Sequence, residues 1–555
     1  MSPADTPGTP KTLAWLLGGL LTGVSATAGV TYLVTSWIQD GTPAEASGAP
    51  LFEDLGSSAG VDHVYDGEFH FFVGGGIAVF DCNNDRLADL YVAGGSAPAG
   101  LYVNESEVGG SLAFSPRPGE ETDLSEVTGA YPIDIDSDGM IDLAVLRLGE
   151  NVILRGTGEC HFERANESWN VDGGDDWTVA FSAYWKDGDS WPTLAFGNYL
   201  RLKQSGERDE CEDSYLIRPT DVSYAQPEKL APGYCTLSIL FSDWDRSGTP
   251  DLRMTNDRHY YTDGQEQLWN MSGGTPEQYT NADGWQELEI WGMGIASHDL
   301  DEDGLPEVFL TSQGDNKLQS LAKGPEQPMY EDLALAAGVT AHRPFTGDTL
   351  RPSTAWHAEF DDVNNDGFMD LFVTKGNVDA QVDFTLEDPN NLLLGQPDRT
   401  FVEVADVAGL LDYHRSRGAA VVDLDLDGLL DIVVVERREP VRVWRNTGQV
   451  MARGDALGNW LQIDVGQPGW NRDAVGGWIE VEIGNRTITR EITIGGGHAS
   501  GELGWFHFGL GPSDEAKVRV LWPDGGASRW ETLRANERVV WDRESGPTVW
   551  TSSRD

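Results

Sequence analysis

One acidic nonapeptide, returning along the chain, limits what this sequence can fold into. At Asp134–Asp142 it reads Asp-Ile-Asp-Ser-Asp-Gly-Met-Ile-Asp, with oxygen-bearing side chains at positions 1, 3, 5 and 9. The spacing recurs as Asp299, Asp301, Asp303, Glu307, as Asp362, Asn364, Asp366, Asp370, and as Asp423, Asp425, Asp427, Asp431, each with glycine at position 6. Looser copies are Asp81, Asn83, Asp85, Asp89, with Arg86 in the glycine position, and Asp243, Asp245, Ser247, Asp251. A copy beginning at Ala183 keeps Asp187 and Gly188 but carries Trp185 and Trp191 at ligand positions. Motif starts therefore fall at 81, 134, 183, 243, 299, 362 and 423, at intervals of 49 to 63 residues. A period of that kind marks a repeat array.

Alternate residues of a tight turn can aim several carboxylates at one centre, which suits Ca2+ with its about six to eight oxygen ligands. Glycine at position 6 permits the positive φ that wraps the backbone. Without a cation the clustered carboxylates repel one another. An EF-hand would need glutamate at position 12 inside a helix. Here that position holds Val92, Val145, Met254, Leu310, Val373 and Val434, within runs such as Leu371-Phe372-Val373 that read as strands.

Each repeat holds an apolar strand, the acidic loop, a second strand, a variable loop and a third strand such as Val152-Ile153-Leu154. Four-stranded units of this length are propeller blades. Met329–Val339 and Phe401–Leu410 read as outer strands, and a similar stretch, Leu51–Val61, precedes the first repeat. The last repeat lacks its own outer strand, so Leu51–Val61 is expected to complete it and close the ring. Beyond residue 456 the pattern changes to short strands with polar turns, the mark of a small β-sandwich. The expectation is an all-β chain: a seven-bladed β-propeller over 51–456 and a β domain over 457–545, with a tail at 546–555.

The chain carries 91 acidic against 38 basic residues, a net charge of −53. Nothing in that balance would neutralise phosphates over a broad face, so nucleic-acid binding is not expected. Leu13–Ile38 carries no charge and is long enough to span a bilayer. Lys11 precedes it and Asp40 follows, which favours a cytoplasmic N-terminus (1–11), a transmembrane anchor or signal segment (12–38), a Pro- and Ala-rich linker (39–50) and an exported body. A cleaved signal peptide is the alternative. The cysteines are Cys82, Cys160, Cys211 and Cys235, with no CxxC pair. In an oxidising compartment Cys211 and Cys235, flanking one insertion, are expected to pair, with Cys82 and Cys160 the second candidate pair.

Three C-terminal signatures sharpen the picture: Asn471-Arg472-Asp473-Ala474-Val475-Gly476-Gly477, His507-Phe508-Gly509-Leu510-Gly511 and Leu521-Trp522-Pro523-Asp524-Gly525. They resemble the ASPIC/UnbV domain, and the acidic repeats resemble the FG-GAP/VCBS repeats of integrin-α-type propellers. Together, over most of residues 51–545, the chain resembles the cartilage acidic protein (CRTAC1-like) family of exported proteins. That resemblance implies a seven-bladed, calcium-binding propeller with no established enzymatic activity. The ligand-poor third repeat and Arg86 are departures from the pattern.

Loops after the second strands emerge on the face opposite the acidic loops and are rich in basic and aromatic residues. Arg201, Asp257, Arg258, His259, Lys317, His342, Trp356, His357 and Lys375 are candidate ligand contacts there. The long insertion Arg201–Tyr234 in the third repeat points to the same face. The leading expectation is a membrane-anchored, extracytoplasmic recognition or adhesion module for an envelope protein or a glycan, with structural Ca2+. A propeller lyase or dehydratase using His259 or His357 as base, and a purely structural envelope component, are the alternatives.

Overall fold

The computed structural model describes residues 48–201, 210–257, 264–340, 354–378, 388–451 and 456–552. Residues Ser47–Asp555 form one compact unit. The expected N-terminal anchor and most of the linker lie outside the described residues. No helix among the described residues is long and apolar enough to cross a membrane.

The body is all-β and is a β-propeller. Each repeat begins with a buried inner strand, runs through the acidic loop and returns antiparallel. In the sixth repeat, Ala355–Asp361 pairs with Asp370–Lys375, then Asn391–Gly395, then Phe401–Glu403. Small and β-branched residues dominate the inner and second strands because both faces of these sheets are covered. Thus Asp431–Glu436 (DIVVVE) is buried at every position. The inner strands pack beside one another in chain order, and Ser416–Val422 of the last repeat meets Ile77–Phe80 of the first.

Closure follows the expected route. Pro50–Asp54 pairs antiparallel with Arg442–Val450, supplying the outer strand that the last repeat lacks. The three outer segments are shorter as strands than their sequences suggested. Only Pro50–Asp54, Tyr330–Asp332 and Phe401–Glu403 are extended; Gly56–Ala59, Ala334–Ala337 and Ala405–Ala408 coil into one helical turn each. Those turns end at Gly60, Gly338 and Gly409, with φ of 95°, 80° and 84°. The small, alanine-rich halves cannot pack as strands, and the left-handed glycine stops the turn.

The third repeat, without its ligands, is held by aromatic packing. Trp191, at position 9 of the motif, is buried with its ring 4.9 Å from Trp169 and 5.5 Å from Tyr224. An apolar pin there replaces the carboxylate ties of the other repeats.

The C-terminal domain is a sandwich of two four-stranded sheets. One contains Asn459–Gly466, Phe506–Gly511, Glu537–Asp542 and Gly546–Trp550; the other contains Trp478–Ile483, Arg486–Glu491, Glu515–Leu521 and Glu531–Arg534. Between Arg486–Glu491 and Phe506–Gly511 the chain leaves the sandwich and enters the propeller's central channel. There Ile494, Gly495, Gly497 and Ser500 bridge to Ala183, Leu240, Ile295 and Ala130 of successive inner strands. Gly501–Glu502 then adds as a parallel strand to Ile77–Phe80. The channel is therefore filled by the other domain. Glycine is required where the two backbones meet: a Cβ at Gly76 would lie 1.8 Å from the Ala499 carbonyl oxygen.

His498 anchors this plug. Its Nε2 accepts from the Gly74 N–H at 3.1 Å, so Nδ1 carries the proton and donates to the Met293 carbonyl at 3.0 Å. The His498 N–H donates to His357 Nδ1 at 3.1 Å. Burial pushes the pKa of His498 down to about 3, which keeps the ring neutral.

Candidate metal centres

The acidic loops share one backbone solution. Position 4 is left-handed in all six: Asn84, Ser137, Arg246, Glu302, Asn365 and Leu426 have φ between 55° and 62°. Position 6 is left-handed too, with Gly139, Gly304, Gly367 and Gly428 at 87° to 89° and Arg86 at 69°. Non-glycine residues adopt that region at a cost of about 1 kcal/mol each, so the turn must be held from outside. The position-1 carboxylate does so by accepting N–H groups of its own loop. Asp134 accepts from Asp138 and Gly139 at 3.1 and 3.0 Å, and Asp423 from Asp427 and Gly428 at 3.0 and 2.8 Å.

Position 9 fastens the loop to the sheet. Asp142 accepts from the Ile135 N–H at 2.8 Å on one oxygen and from the Gly156 N–H of the third strand at 2.9 Å on the other. Asp370 and Asp431 repeat this with Gly395 and Asn446, each at 2.8 to 2.9 Å on the strand side. Asp89 does the same with Cys82 and Asn104. Glu307, one methylene longer, keeps the loop contact, accepting from Leu300 at 2.8 Å.

These ties leave oxygens over. Carboxylates of Asp134, Asp136 and Asp142, of Asp299, Asp301 and Asp303, and of Asp423, Asp425 and Asp431 offer atoms within 4.8 Å of one another. Asp299 Oδ1 and Asp425 Oδ1 are buried with no hydrogen-bond partner. Burial, reinforced by the neighbouring carboxylates, raises the pKa of Asp134 to about 6, of Asp299, Glu307 and Asp427 to about 7, and of Asp89 to about 8. It pushes Asp142, Asp362, Asp370 and Asp431 well above the usual carboxylate range. Convergent, under-donated oxygens that resist ionisation are the donor set of a hard divalent cation.

The loops are not equivalent. In the second, Arg155 binds Asp136 and Asp138 at 2.7 and 2.6 Å; in the last, Arg445 binds Asp425 and Asp427 at 2.6 and 3.3 Å. Each guanidinium offsets part of the loop's charge. The fourth loop is furthest from a metal site, because Asp251 accepts from Met271 N–H, Trp244 Nε1 and Tyr279 Oη at 2.8 to 2.9 Å. Cys82, Asp89 and Cys160 also cluster, but the two sulfurs lie at disulfide distance, with Cα atoms 4.7 Å apart. Cys211 and Cys235 form the second such pair, Cα atoms 4.6 Å apart.

The C-terminal domain is seated on this same face and grips the loops by their exposed turns. In the second loop Ser137 Oγ accepts from Asn471 N–H at 3.0 Å. Arg246 of the fourth stacks on Trp478, 3.8 Å from the ring centre. Glu302 of the fifth pairs with Arg486 at 2.5 Å, and Asn365 Oδ1 of the sixth meets His507 Nε2 at 2.6 Å. Asp423 accepts from Gln462 at 2.9 Å and pairs with Arg538 at 3.2 Å. Arg86 bonds Asp464, and its carbonyl accepts from Trp505 Nε1 at 3.2 Å, so the arginine in a glycine position is a docking residue. The signature glycines make contact possible: a Cβ at Gly509 would sit 1.8 Å from Asp362 Oδ2.

Among the described residues, those expected on the opposite face do not assemble into one patch. Trp356 is fully buried, its Nε1 donating to the Gly376 carbonyl and its ring under Arg417. His357 is buried against the plug, and Lys375 and Asp257 are buried as well, Asp257 accepting from Tyr199 Oη at 2.7 Å. Lys317 pairs with Asp332 at 3.0 Å and Arg201 with Glu212 at 2.6 Å. Arg258, His259 and His342 lie outside the described residues. Sequence reasoning missed the plug itself; its signal is the run Gly495-Gly496-Gly497-His498, which no strand or hairpin of the sandwich needs.

A profile of the ASPIC and UnbV domain matches residues 467–547, and a profile of the FG-GAP-like repeat matches residues 362–434. FG-GAP repeats followed by an ASPIC/UnbV domain are thus the architecture of this chain. No curated protein matches it. Among solved structures, BBS1N in complex with ARL6DN is 10% identical, covers 72% of this chain and 98% of its own, and superposes with a TM-score of 0.39. The Agrocybe aegerita lectin specific for non-reducing terminal N-acetylglucosamine is 14% identical over 68% of this chain and 81% of its own, TM-score 0.29. The extracellular domain of BT4673 from B. thetaiotaomicron is 8% identical over 88% of this chain and 58% of its own, TM-score 0.37. At such scores the fold assignment rests on the strand pairing and repeats above.

Proposed function

We propose that this protein is a calcium-stapled, seven-bladed propeller that serves as an extracytoplasmic recognition module for a protein or glycan of the cell envelope. The observation that carries the reading is the placement of the acidic loops: convergent, under-donated carboxylates lie under the C-terminal domain and not in an open cleft. Metal there fixes the turns that the second domain grips, and any cation that binds the folded form adds stability by mass action. With one face covered and the channel filled, the other face is the one free to meet a partner. Export to an oxidising compartment is supported by the two cysteine pairs, and anchoring through residues 12–38 rests on their sequence.

Of the two candidate bases of the lyase reading, His357 is buried beneath the plug with its Nδ1 occupied, and His259 lies outside the described residues. Metal content of the purified protein, followed by binding to a glycan array and to envelope extracts, tests the proposal. Bound calcium and a melting temperature lowered by EDTA are expected. Identical melting in EDTA and in millimolar calcium would rule out structural calcium, and an absence of glycan and protein ligands would rule out recognition.

A further inference from the structure

Between the propeller channel and the C-terminal domain lies a cavity of about 520 Å³, within the range of small-molecule sites. Its wall on the propeller side is the inner strand Ala355–Asp361, where alternation brings His357, Glu359 and Asp361 to one side. The C-terminal domain contributes Arg490 and Glu502. Arg490 is committed to Asp361, at 3.0 Å. Glu359 accepts from the Val421 N–H at 3.1 Å and lies 3.3 Å from His357 Nε2, with the Glu502 carboxyl beside it. Three carboxyl groups thus face one guanidinium, which is already paired.

A second observation points to a ligand. Of the lining side chains, His298 is only 5% exposed, and its Nε2 has no hydrogen-bond partner. Glu502 Oε1 is likewise buried and unpaired, and Glu502 lines the same space. Native interiors seldom leave such groups without a partner. Among the described residues, the acidic groups close enough to cage a metal ion include Asp134, Asp299 and Asp423 of the loops but not Glu359, Asp361 and Glu502. The size of the space and the spread of its polar groups fit an organic molecule.

We propose that this interdomain cavity binds a small hydroxylated amine, its ammonium held by Glu359 and Glu502 and a hydroxyl group by His298 Nε2. The cavity is also bordered by Asp81, Asp134 and Asp423 of the acidic loops, and the site is built only when both domains are docked. Neutral polyols lack the charge that the carboxyl pair selects, and anions are repelled.

Calorimetric titration of the full chain in calcium-containing buffer tests this, with glucosamine and 2-amino-1,3-propanediol as probes and glucose and glycerol as neutral counterparts. Saturable binding of an amine, at least tenfold tighter than its neutral counterpart, is expected. Glu502→Gln should weaken the amine at least tenfold while leaving the melting temperature of the free protein unchanged or raised, since it removes a like-charge neighbour of Glu359. Glu359→Gln gives the same readout from the propeller side should Glu502→Gln fold poorly. Failure of both amines to bind, equal binding of amine and neutral probe, or amine binding unchanged in a folded variant would overturn the proposal.

Discussion

At the scale of single residues, neutral, fully hydrogen-bonded His498 does more for the assembly than any surface pair. It joins the Gly74 N–H, the Met293 carbonyl and His357 in one buried network. His498→Ala would strand a donor and an acceptor and leave a cavity, a combination that costs about 3–5 kcal/mol. Equilibrium denaturation is expected to show a loss of that size, and a variant within about 1 kcal/mol of wild type would show that the plug does not depend on it. Arg86 illustrates the opposite trade. Its positive φ is a strain that glycine would remove, yet its bond to Asp464 and stacking near Trp505 hold the second domain.

At the scale of elements, the closing strand and the signature turn of the C-terminal domain matter most. Pro50–Asp54 covers what would otherwise be an open sheet edge. Deleting residues 48–61 should therefore lower the melting temperature by tens of degrees or promote aggregation; an unchanged melting curve would refute closure by this strand. Gly509→Ala tests the docking of the His507–Gly511 turn on the sixth loop. Its Cβ would overlap Asp362, so the C-terminal domain should lose amide-exchange protection while the propeller's outer strands keep theirs.

For the whole molecule, metal and pH are linked with a definite sign. The loop carboxylates have raised pKa values in the folded chain, about 6 for Asp134, about 7 for Asp427 and about 8 for Asp89, so without metal their stabilising contribution is complete at low pH and is lost as pH rises from about 4 through 8. The buried histidines His298, His357, His498 and His507, pushed down to about 3, act in the other direction below about 6.5. Protein in EDTA should accordingly melt lower at pH 8 than at pH 6.5, and the stabilisation given by calcium should grow over the same interval. Scanning calorimetry at both pH values, with and without calcium, checks this; a chelated protein that becomes more stable toward pH 8 would contradict it.

The sequence alone determined the repeat, the strand order within each unit, the closing segment and the presence of a distinct C-terminal β domain. These are written locally, in the period of the Asp-x-Asp-x-Asp-Gly motif and in alternating apolar runs. It also located the acidic loops, because one short turn carries every carboxylate. What it could not hold was the relation between distant parts. Trp356 and His357 are amphipathic or polar residues that read as binding groups, and only burial by Ile494–Ser500, more than a hundred residues later, turns them into scaffold. The face on which the C-terminal domain sits, the filled channel and the acid-lined cavity all arise from side chains brought together across domains. No local spacing encodes such contacts; the tertiary structure alone decided them.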